Sequence, residues 1–241
     1  MNFLDDVFSF IFPPVCGICG KIGKSYLCEN CAKALKQSSD YHNEIHTYIN
    51  NKYKYVSKNN SFHQNGKFPK NNFYFQEHYY LFSYTSLIRE KIIQYKFQGQ
   101  SYLFRMFSEF FVKNEKLCGF LEKYDIIIPV PISKNKMLKR GYNQSMLIAK
   151  EIAKRTQKVQ LENQVLIKDI ENQSQSSLNR KQRLENVKNV YKIQNEQKIK
   201  EKNILLFDDI FTTGATVNEC AKTLKQAGTN KIGILTIAKD F

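Results

Sequence analysis

Apolar runs alternate with amphipathic segments through most of the chain after residue 78. Continuous apolar runs predict buried strands over residues 79–84, 126–131, 165–167, 203–207 and 232–238. Apolar residues at helical spacing predict helices over residues 87–97, 103–111, 146–155 and 217–226. Strands that alternate with helices predict an α/β fold, with a mostly parallel sheet that helices cover on both faces.

Residues 36–78 lack a sustained apolar period and are rich in Asn, Lys, Ser and aromatic residues. This composition predicts a linker or irregular insertion, which divides the chain into residues 1–35, 36–78 and 79–241. His42 and His46 have the spacing of metal ligands on a helix. No acidic or cysteine partner was identified for them, which favours solvated histidines. All four histidines of the chain lie in this stretch or at its edge: His42, His46, His63 and His78.

Four of the six cysteines form one cluster with the pattern Cys16-x2-Cys19-x8-Cys28-x2-Cys31. Two C-x-x-C pairs supply four thiolates for a tetrahedral Zn²⁺ ion. A redox-active pair needs a thioredoxin-like strand and helix, which this region lacks. The spacing therefore predicts a small zinc-binding module over residues 1–35 with a structural zinc ion. Cys118 and Cys220 lie outside this module, in segments with a helical pattern. We expect both to be buried small residues.

The sequence of 241 residues contains 37 Lys and Arg against 22 Asp and Glu, a formal net charge of +15. A basic surface suits phosphorylated ligands and nucleic acid, although solubilising lysines give the same balance. Residues 7–12 are apolar, but this run is too short for a membrane helix and lacks the basic flank of a secretory signal. We therefore expect a cytoplasmic protein without a membrane span.

The segment that follows the strand at 203–207 carries the clearest chemical pattern. Backbone N–H groups at a helix N-terminus bind anions, and paired carboxylates accept hydrogen bonds from vicinal sugar hydroxyls. Alternatively, the acids could simply cap the helix and the threonines could fill an ordinary turn. The order of strand, acids, loop and helix instead favours a site for a ribose 5-phosphate. The residues concerned are Asp208, Asp209, Thr212, Thr213, Gly214, Ala215 and Thr216.

Two basic segments follow other predicted strands. Residues 133–144 include Arg140, and arginine binds phosphate groups through paired hydrogen bonds. Residues 173–187 include Arg183, and a charged loop in this position can close over a reactive centre. An ordinary basic loop and a solvated surface loop are the respective alternatives. Ligands of parallel α/β sheets bind beyond the carboxyl ends of the strands, where both segments are expected.

Asp208, Asp209 and the segment 212–216, called the threonine loop below, resemble the signature of type I phosphoribosyltransferases. These enzymes bind phosphoribosyl pyrophosphate (PRPP). Pro129-Val-Pro131 followed by Arg140-Gly-Tyr-Asn-Gln144 is similar to the pyrophosphate loop of the ComF family. A second ComF pattern is met by Gln175, Leu178, Arg183, Asn186 and Val187. Together with the cysteine cluster, the resemblance implies a type I phosphoribosyltransferase fold preceded by a zinc-ribbon-like module. Many relatives carry further cysteines where this chain has residues 36–77.

The resemblance also implies roles for individual residues. It assigns Asp208 and Asp209 to the ribose hydroxyls and residues 212–216 to the 5-phosphate, and it places Arg140 near the pyrophosphate. Arg140 and Arg183 are the expected catalytic residues, with Arg183 on the loop that can close over the reactive centre. It implies Mg²⁺ bound together with PRPP. Relatives that use 6-oxopurines carry an acid at the position of Thr212, so hypoxanthine or guanine is not the expected acceptor.

Two functions are open from the sequence. One is a phosphoribosyltransferase-like protein of natural transformation and DNA uptake, with an unidentified acceptor. The other is a PRPP-responsive competence protein that binds single-stranded DNA without turnover. Single-stranded DNA and competence proteins are accordingly the expected partners besides PRPP. Five aromatic residues could stack on bases or pack on the domain: Tyr53, Tyr55, Phe73, Tyr74 and Phe75.

Overall fold

The computed structural model describes residues 13–49, 52–56, 62–63, 73–170 and 186–241, with side chains for 13–48, 73–170 and 186–241. The helices in these ranges are α1 Glu29–Gln37, α2 Ser86–Phe97, α3 Leu103–Val112, α4 Glu115–Leu121, α5 Lys134–Arg140, α6 Gln144–Thr156 and α7 Ala215–Gln226. The strands are β1 Tyr41–Ile49, β2 Lys52–Val56, β3 Phe62–His63, β4 Glu77–Ser83, β5 Ile126–Pro129, β6 Gln160–Leu161, β7 Leu166–Lys168, β8 Tyr191–Ile193, β9 Ile204–Phe211 and β10 Ile232–Lys239. None of the described helices is both long and apolar enough to cross a bilayer.

Five parallel strands form the centre of the fold, in the order β4-β10-β9-β5-β6. Alternate residues of β9 face opposite sides of the sheet. Leu205 and Phe207 pack with α2, α3, α4 and α6, whereas Ile204 and Leu206 pack with α7. All eight residues of β10 are buried, as expected for a strand covered on both faces. The predicted α/β fold with a mostly parallel sheet is confirmed.

The stretch 36–78, predicted to be a linker or irregular insertion, instead contains three strands that extend the sheet. β1 runs antiparallel to β4 with His46 opposite His78, and β2 and β3 follow at the edge. The inward side of β1 carries Glu44, His46 and Tyr48, all buried. These residues have the two-residue period of a strand, but polar groups at inward positions conceal the strand from a search for apolar periodicity.

The expectation of solvated histidines is wrong for His46, which is fully buried. His46 Nε2 lies 3.3 Å from Glu44 Oε2 and 2.9 Å from the Tyr80 hydroxyl, while its Nδ1 lies 3.0 Å from Lys239 Nζ. Glu44, two residues away in the sequence, is thus an acidic partner of His46. Burial lowers the pKa of His46 to about 4, so the ring is neutral near pH 7. His46 and His78 are buried, His42 is half-buried, and the side chain of His63 lies outside the described residues.

The cysteine-containing segment packs directly on the main core. Leu27 and Leu35 belong to the same buried cluster as the apolar residues of β4 and α3. A side-chain carbon at Gly17 would lie 2.7 Å from Met106 Sδ. Gly17 therefore lets the backbone of this segment lie against α3. The division of the chain into three domains stays a prediction.

Two other segments differ in detail from the sequence prediction. The basic segment 133–144 contains the short helix α5, which is capped by the Ser133 side chain and followed by Gly141 at φ 76°. The strand expected over residues 165–167 is present as β7. It pairs antiparallel with β8 in a separate two-stranded sheet and does not join the main sheet.

Candidate phosphoribosyl site

A pocket of about 410 Å³ opens beyond the carboxyl ends of the parallel strands. It is formed by the end of β9, the loop into α7, the segment after β5 and the C-terminal end of α2. Arg183 lies in the part of the chain outside the described residues, so its role stays a prediction. The other residues predicted for the PRPP site all line this pocket: Arg140, Asp208, Asp209, Thr212, Thr213, Gly214, Ala215 and Thr216.

The two acids occupy different environments within β9. Asp209 is buried, and its Oδ2 accepts a hydrogen bond from Gln144 Nε2 at 3.0 Å. Asp208 is half-buried, and its Oδ1 accepts hydrogen bonds from Ser145 Oγ at 3.2 Å and from the Asp209 backbone N–H at 2.9 Å. Burial and the charge of Asp209 raise the pKa of Asp208 above its ordinary value, although Lys96 and these hydrogen bonds oppose the change.

Helix α2 supplies Lys96, which the sequence pattern did not indicate as a site residue. Its Nζ lies 2.8 Å from Asp209 Oδ1, and both side chains are largely buried. In the sequence it is an ordinary lysine near the end of an amphipathic helix, so only the packing of α2 reveals its place. Arg89, Lys136 and Lys168 line the pocket as well. The pocket therefore places several cations around two carboxylates.

Arg140 is held in the pocket by two contacts. Its Nη1 donates a hydrogen bond to Gln144 Oε1 at 2.9 Å, and its guanidinium carbon lies 4.7 Å from the centre of the Phe97 ring. Gln144 in turn donates to Asp209. The basic segment after β5 and the acids of β9 are thus parts of one polar network.

The threonine loop leads directly into α7, which begins at Ala215. Gly214 has a φ of 73°, and a side-chain carbon there would lie 2.6 Å from the Phe211 ring. Both features require glycine at this position. Thr213 Oγ1 accepts a hydrogen bond from the Ala215 N–H at 3.3 Å, and the first turn of α7 carries no acidic residue. The start of this helix is accordingly suited to an anion.

The four N-terminal cysteines converge, with their sulfur atoms all within 4.8 Å of one another. The sulfurs of Cys19 and Cys28 are 3.9 Å apart. Zinc–sulfur bonds of about 2.3 Å at tetrahedral angles give sulfur separations of about 3.8 Å. Within the described ranges, this is the one group of three or more His, Cys, Asp or Glu side chains that could hold a metal ion: Cys16, Cys19, Cys28 and Cys31.

Two of the five aromatic residues considered for base stacking pack on the domain, Phe73 and Phe75. Phe75 is buried, with its ring centre 5.0 Å from that of Tyr48. Phe73 packs on the same Tyr48 ring at 4.9 Å, whereas Tyr74 is 38% exposed. Packing therefore accounts for Phe73 and Phe75. Two of the aromatic side chains lie outside the described part of the chain, those of Tyr53 and Tyr55.

Comparison with known proteins agrees with this geometry. The family model for the phosphoribosyl transferase domain matches residues 142–240, which include both acids and the threonine loop. Competence protein ComFC of Streptococcus pneumoniae is 30% identical over 162 residues, an alignment that covers 67% of this chain and 68% of that protein. The chain belongs to the ComF family. The family and the phosphoribosyltransferase fold predicted from the sequence are thereby confirmed.

Two further relatives of this ComF chain share shorter alignments. Competence protein F of Haemophilus influenzae is 29% identical over 153 residues, which cover 61% of this chain and 66% of that protein. DNA utilization protein YhgH of Escherichia coli O157:H7 is 27% identical over 119 residues, which cover 49% of this chain and 51% of YhgH. The chain thus spans slightly less than two thirds of the Haemophilus protein and about half of YhgH. The roles of individual site residues stay predictions.

Proposed function

We propose that this ComF protein binds PRPP in the pocket beside β9 and acts in the cytoplasm during natural transformation, as a phosphoribosyltransferase-like protein. The observation that carries the proposal is that the acids, the threonine loop and Arg140 line one pocket. Asp208 and Asp209 are assigned to the ribose hydroxyls, the threonine loop to the 5-phosphate, and Arg140 with Lys136 to the pyrophosphate. The names of the competence relatives support a role in DNA uptake.

Transfer would form a bond from an acceptor nucleophile to C1 of the ribose and break the bond from C1 to the pyrophosphate oxygen. The pyrophosphate leaves with the bonding electrons, and C1 acquires oxocarbenium character in the transition state. Arg140 and Lys136 would stabilise the charge that develops on the leaving group. Arg183 is proposed to lie on a loop that excludes water.

Mg²⁺ is proposed to enter this pocket with PRPP. Apart from the four cysteines, no group of three or more metal-binding side chains is found among the described residues. The two acids alone are too few for a protein cage, which agrees with an ion held mainly by pyrophosphate oxygens and water. The ion would neutralise charge on the pyrophosphate.

PRPP with Mg²⁺ is expected to raise the melting temperature of the protein. A ligand at about 100 times its Kd stabilises the folded state by about 2.7 kcal/mol. For a domain of this size, this corresponds to a shift of about 5–10 °C in a thermal scan. Ribose 5-phosphate should give a smaller shift because it lacks the pyrophosphate. An unchanged melting temperature at saturating PRPP would contradict the proposal.

We further propose that the four clustered cysteines bind one structural Zn²⁺ ion. The backbone N–H of Cys28 lies 3.5 Å from Cys16 Sγ, a contact that favours a thiolate. The 3.9 Å separation of the Cys19 and Cys28 sulfurs is close to that of a tetrahedral zinc site, all four sulfurs lie within 4.8 Å of one another, and the chain of this segment packs on the core. Zinc would therefore fix the local fold of the cysteine segment.

Binding of single-stranded DNA in response to PRPP is a second candidate, favoured by the rim of the pocket. Phe97 is 64% exposed beneath the Arg140 guanidinium, and Leu138 of the lysine-rich helix α5 is 83% exposed. Exposed aromatic rings beside cations suit stacked bases and phosphates. For roughly four phosphate contacts, affinity for an oligonucleotide should fall about 50-fold between about 50 and 200 mM salt. Failure to bind even at the lower salt concentration would remove this candidate.

A further inference from the structure

Lys96, in the last turn of α2, lies in the proposed PRPP site although α2 is not part of the PRPP motif. Lys96 Nζ lies 2.8 Å from Asp209 Oδ1, and the two side chains are 16% and 5% exposed. The other oxygen of Asp209 accepts a hydrogen bond from Gln144. Both carboxylate oxygens of Asp209 are therefore already engaged by the protein itself.

Asp208 differs from its neighbour in having an open oxygen. Its Oδ1 accepts the hydrogen bonds of Ser145 and of the Asp209 N–H. From the residues that the structure describes, no hydrogen bond reaches its Oδ2. The two acids of the motif are thus not equivalent, since both oxygens of Asp209 are engaged, whereas Oδ2 of Asp208 accepts no hydrogen bond from the described part of the chain.

A cation beside this pair has a clear energetic reason. Two adjacent carboxylates repel each other, and a buried carboxylate without a partner strongly destabilises the folded state. Lys96 supplies the missing positive charge from a separate helix. Its ammonium group contacts Asp209 directly, and its charge lowers the pKa of Asp208.

We propose that Lys96 is a positioning residue of the PRPP site, which holds Asp209 in the wall of the pocket so that Asp208 presents its open oxygen to the ribose hydroxyls. This inference rests on the proposed function and refines it, because it gives the two acids different roles. Lys96 acts through the acids and is not itself a catalytic residue.

The inference predicts a change in the pH dependence of binding. Asp208 must be a carboxylate to accept the ribose hydroxyls, so affinity falls as the pH is lowered through its pKa. Lys96 lowers that pKa, and its removal should move the midpoint of the fall to higher pH. The charged and titratable groups that interact with Asp208 are Asp209 from β9, Lys96 from α2, Lys136 from α5, Tyr191 from β8 and Cys220 from α7.

The test is calorimetric titration with PRPP and Mg²⁺ between about pH 5.5 and 8.5. For Lys96→Met we expect affinity about 10-fold or more below wild type at neutral pH, and a midpoint about one pH unit higher. Lys96→Arg should keep the wild-type midpoint because the charge remains. Lys91→Met, on the same helix but outside the pocket lining, is the matched control and should bind as wild type. Titration of the PRPP phosphates is common to all variants, so differences between variants are the readout.

The outcomes separate this inference from the proposed function. If wild type fails to bind PRPP, the proposed function is wrong. If wild type binds and Lys96→Met binds with the same affinity and midpoint, only the role of Lys96 is overturned. If Lys96→Met does not fold, Lys96→Met is instead combined with Asp209→Asn and compared with Asp209→Asn alone, because the amide removes the buried carboxylate that Lys96→Met leaves unpaired. There, Lys96→Met should still raise the midpoint, and an unchanged midpoint would overturn the inference.

Discussion

Asp208→Asn is expected to lower the affinity for PRPP by about 100-fold or more. A hydrogen bond from a hydroxyl to a charged group contributes about 1.5–3 kcal/mol, and two ribose hydroxyls are available to Asp208. Loss of about 3 kcal/mol corresponds to about a 100-fold change in Kd. The amide keeps the size of the side chain but removes its charge, so calorimetry should detect the loss in a protein that is still folded.

The pH dependence of stability provides a check that Asp208→Asn is folded. The raised pKa of Asp208 means that the folded state binds this proton more tightly than the unfolded state does. Its contribution to stability is therefore lost as the pH rises from the unfolded pKa through the raised folded pKa. The variant should lack this loss and be at least as stable as wild type at pH 8 in urea unfolding.

Asp125→Asn is the matched control for the Asp208 variant. Asp125 is exposed and precedes β5, so it lies at the edge of the sheet opposite the pocket. The same chemical change there should leave PRPP affinity within about twofold of wild type. Equal affinity of Asp208→Asn and Asp125→Asn would remove Asp208 from the site.

Cys16→Ser is expected to abolish zinc binding and to destabilise the whole protein. Leu27 and Leu35 anchor the cysteine segment in the core, and loss of the metal that fixes the local fold of this segment should release both side chains. Exposure of two leucines costs about 3–6 kcal/mol. In thermal unfolding this corresponds to a fall of roughly 10 °C or more in melting temperature.

Cys118→Ser is the control for the cysteine variant, because Cys118 is half-buried in α4 and lies outside the cluster. Metal analysis should find about one zinc per chain in wild type and Cys118→Ser, and none in Cys16→Ser. Chelation of the wild-type protein should reproduce the loss of stability. A metal-free protein with the full wild-type melting temperature would show that zinc has no structural role.

The parallel core and the proposed PRPP segment could be predicted from the sequence because their signals are local. Strand β9 begins with the apolar residues 204–207, its second half carries both acids, and the threonine loop follows directly. Helices α2, α3, α6 and α7 carry their apolar residues at helical spacing. In these segments, the same residues that define the element also form the core or the pocket.

The remaining features depend on contacts between distant segments. Strand β1 turns polar side chains inward, and these are satisfied only by partners such as Tyr80 and Lys239. Lys96 reaches Asp209 because the C-terminal end of α2 lies at the pocket. Neither arrangement has a local sequence signature, which is why the edge strands and the lysine were missed.

The most direct measurement is a calorimetric titration of PRPP with Mg²⁺ into zinc-loaded wild-type protein and into Asp208→Asn under identical conditions. We predict saturable binding at one site per chain for wild type and no measurable saturation for the variant. Absence of binding to folded wild-type protein, or equal binding to both proteins, would contradict a PRPP site formed by the acids and the threonine loop.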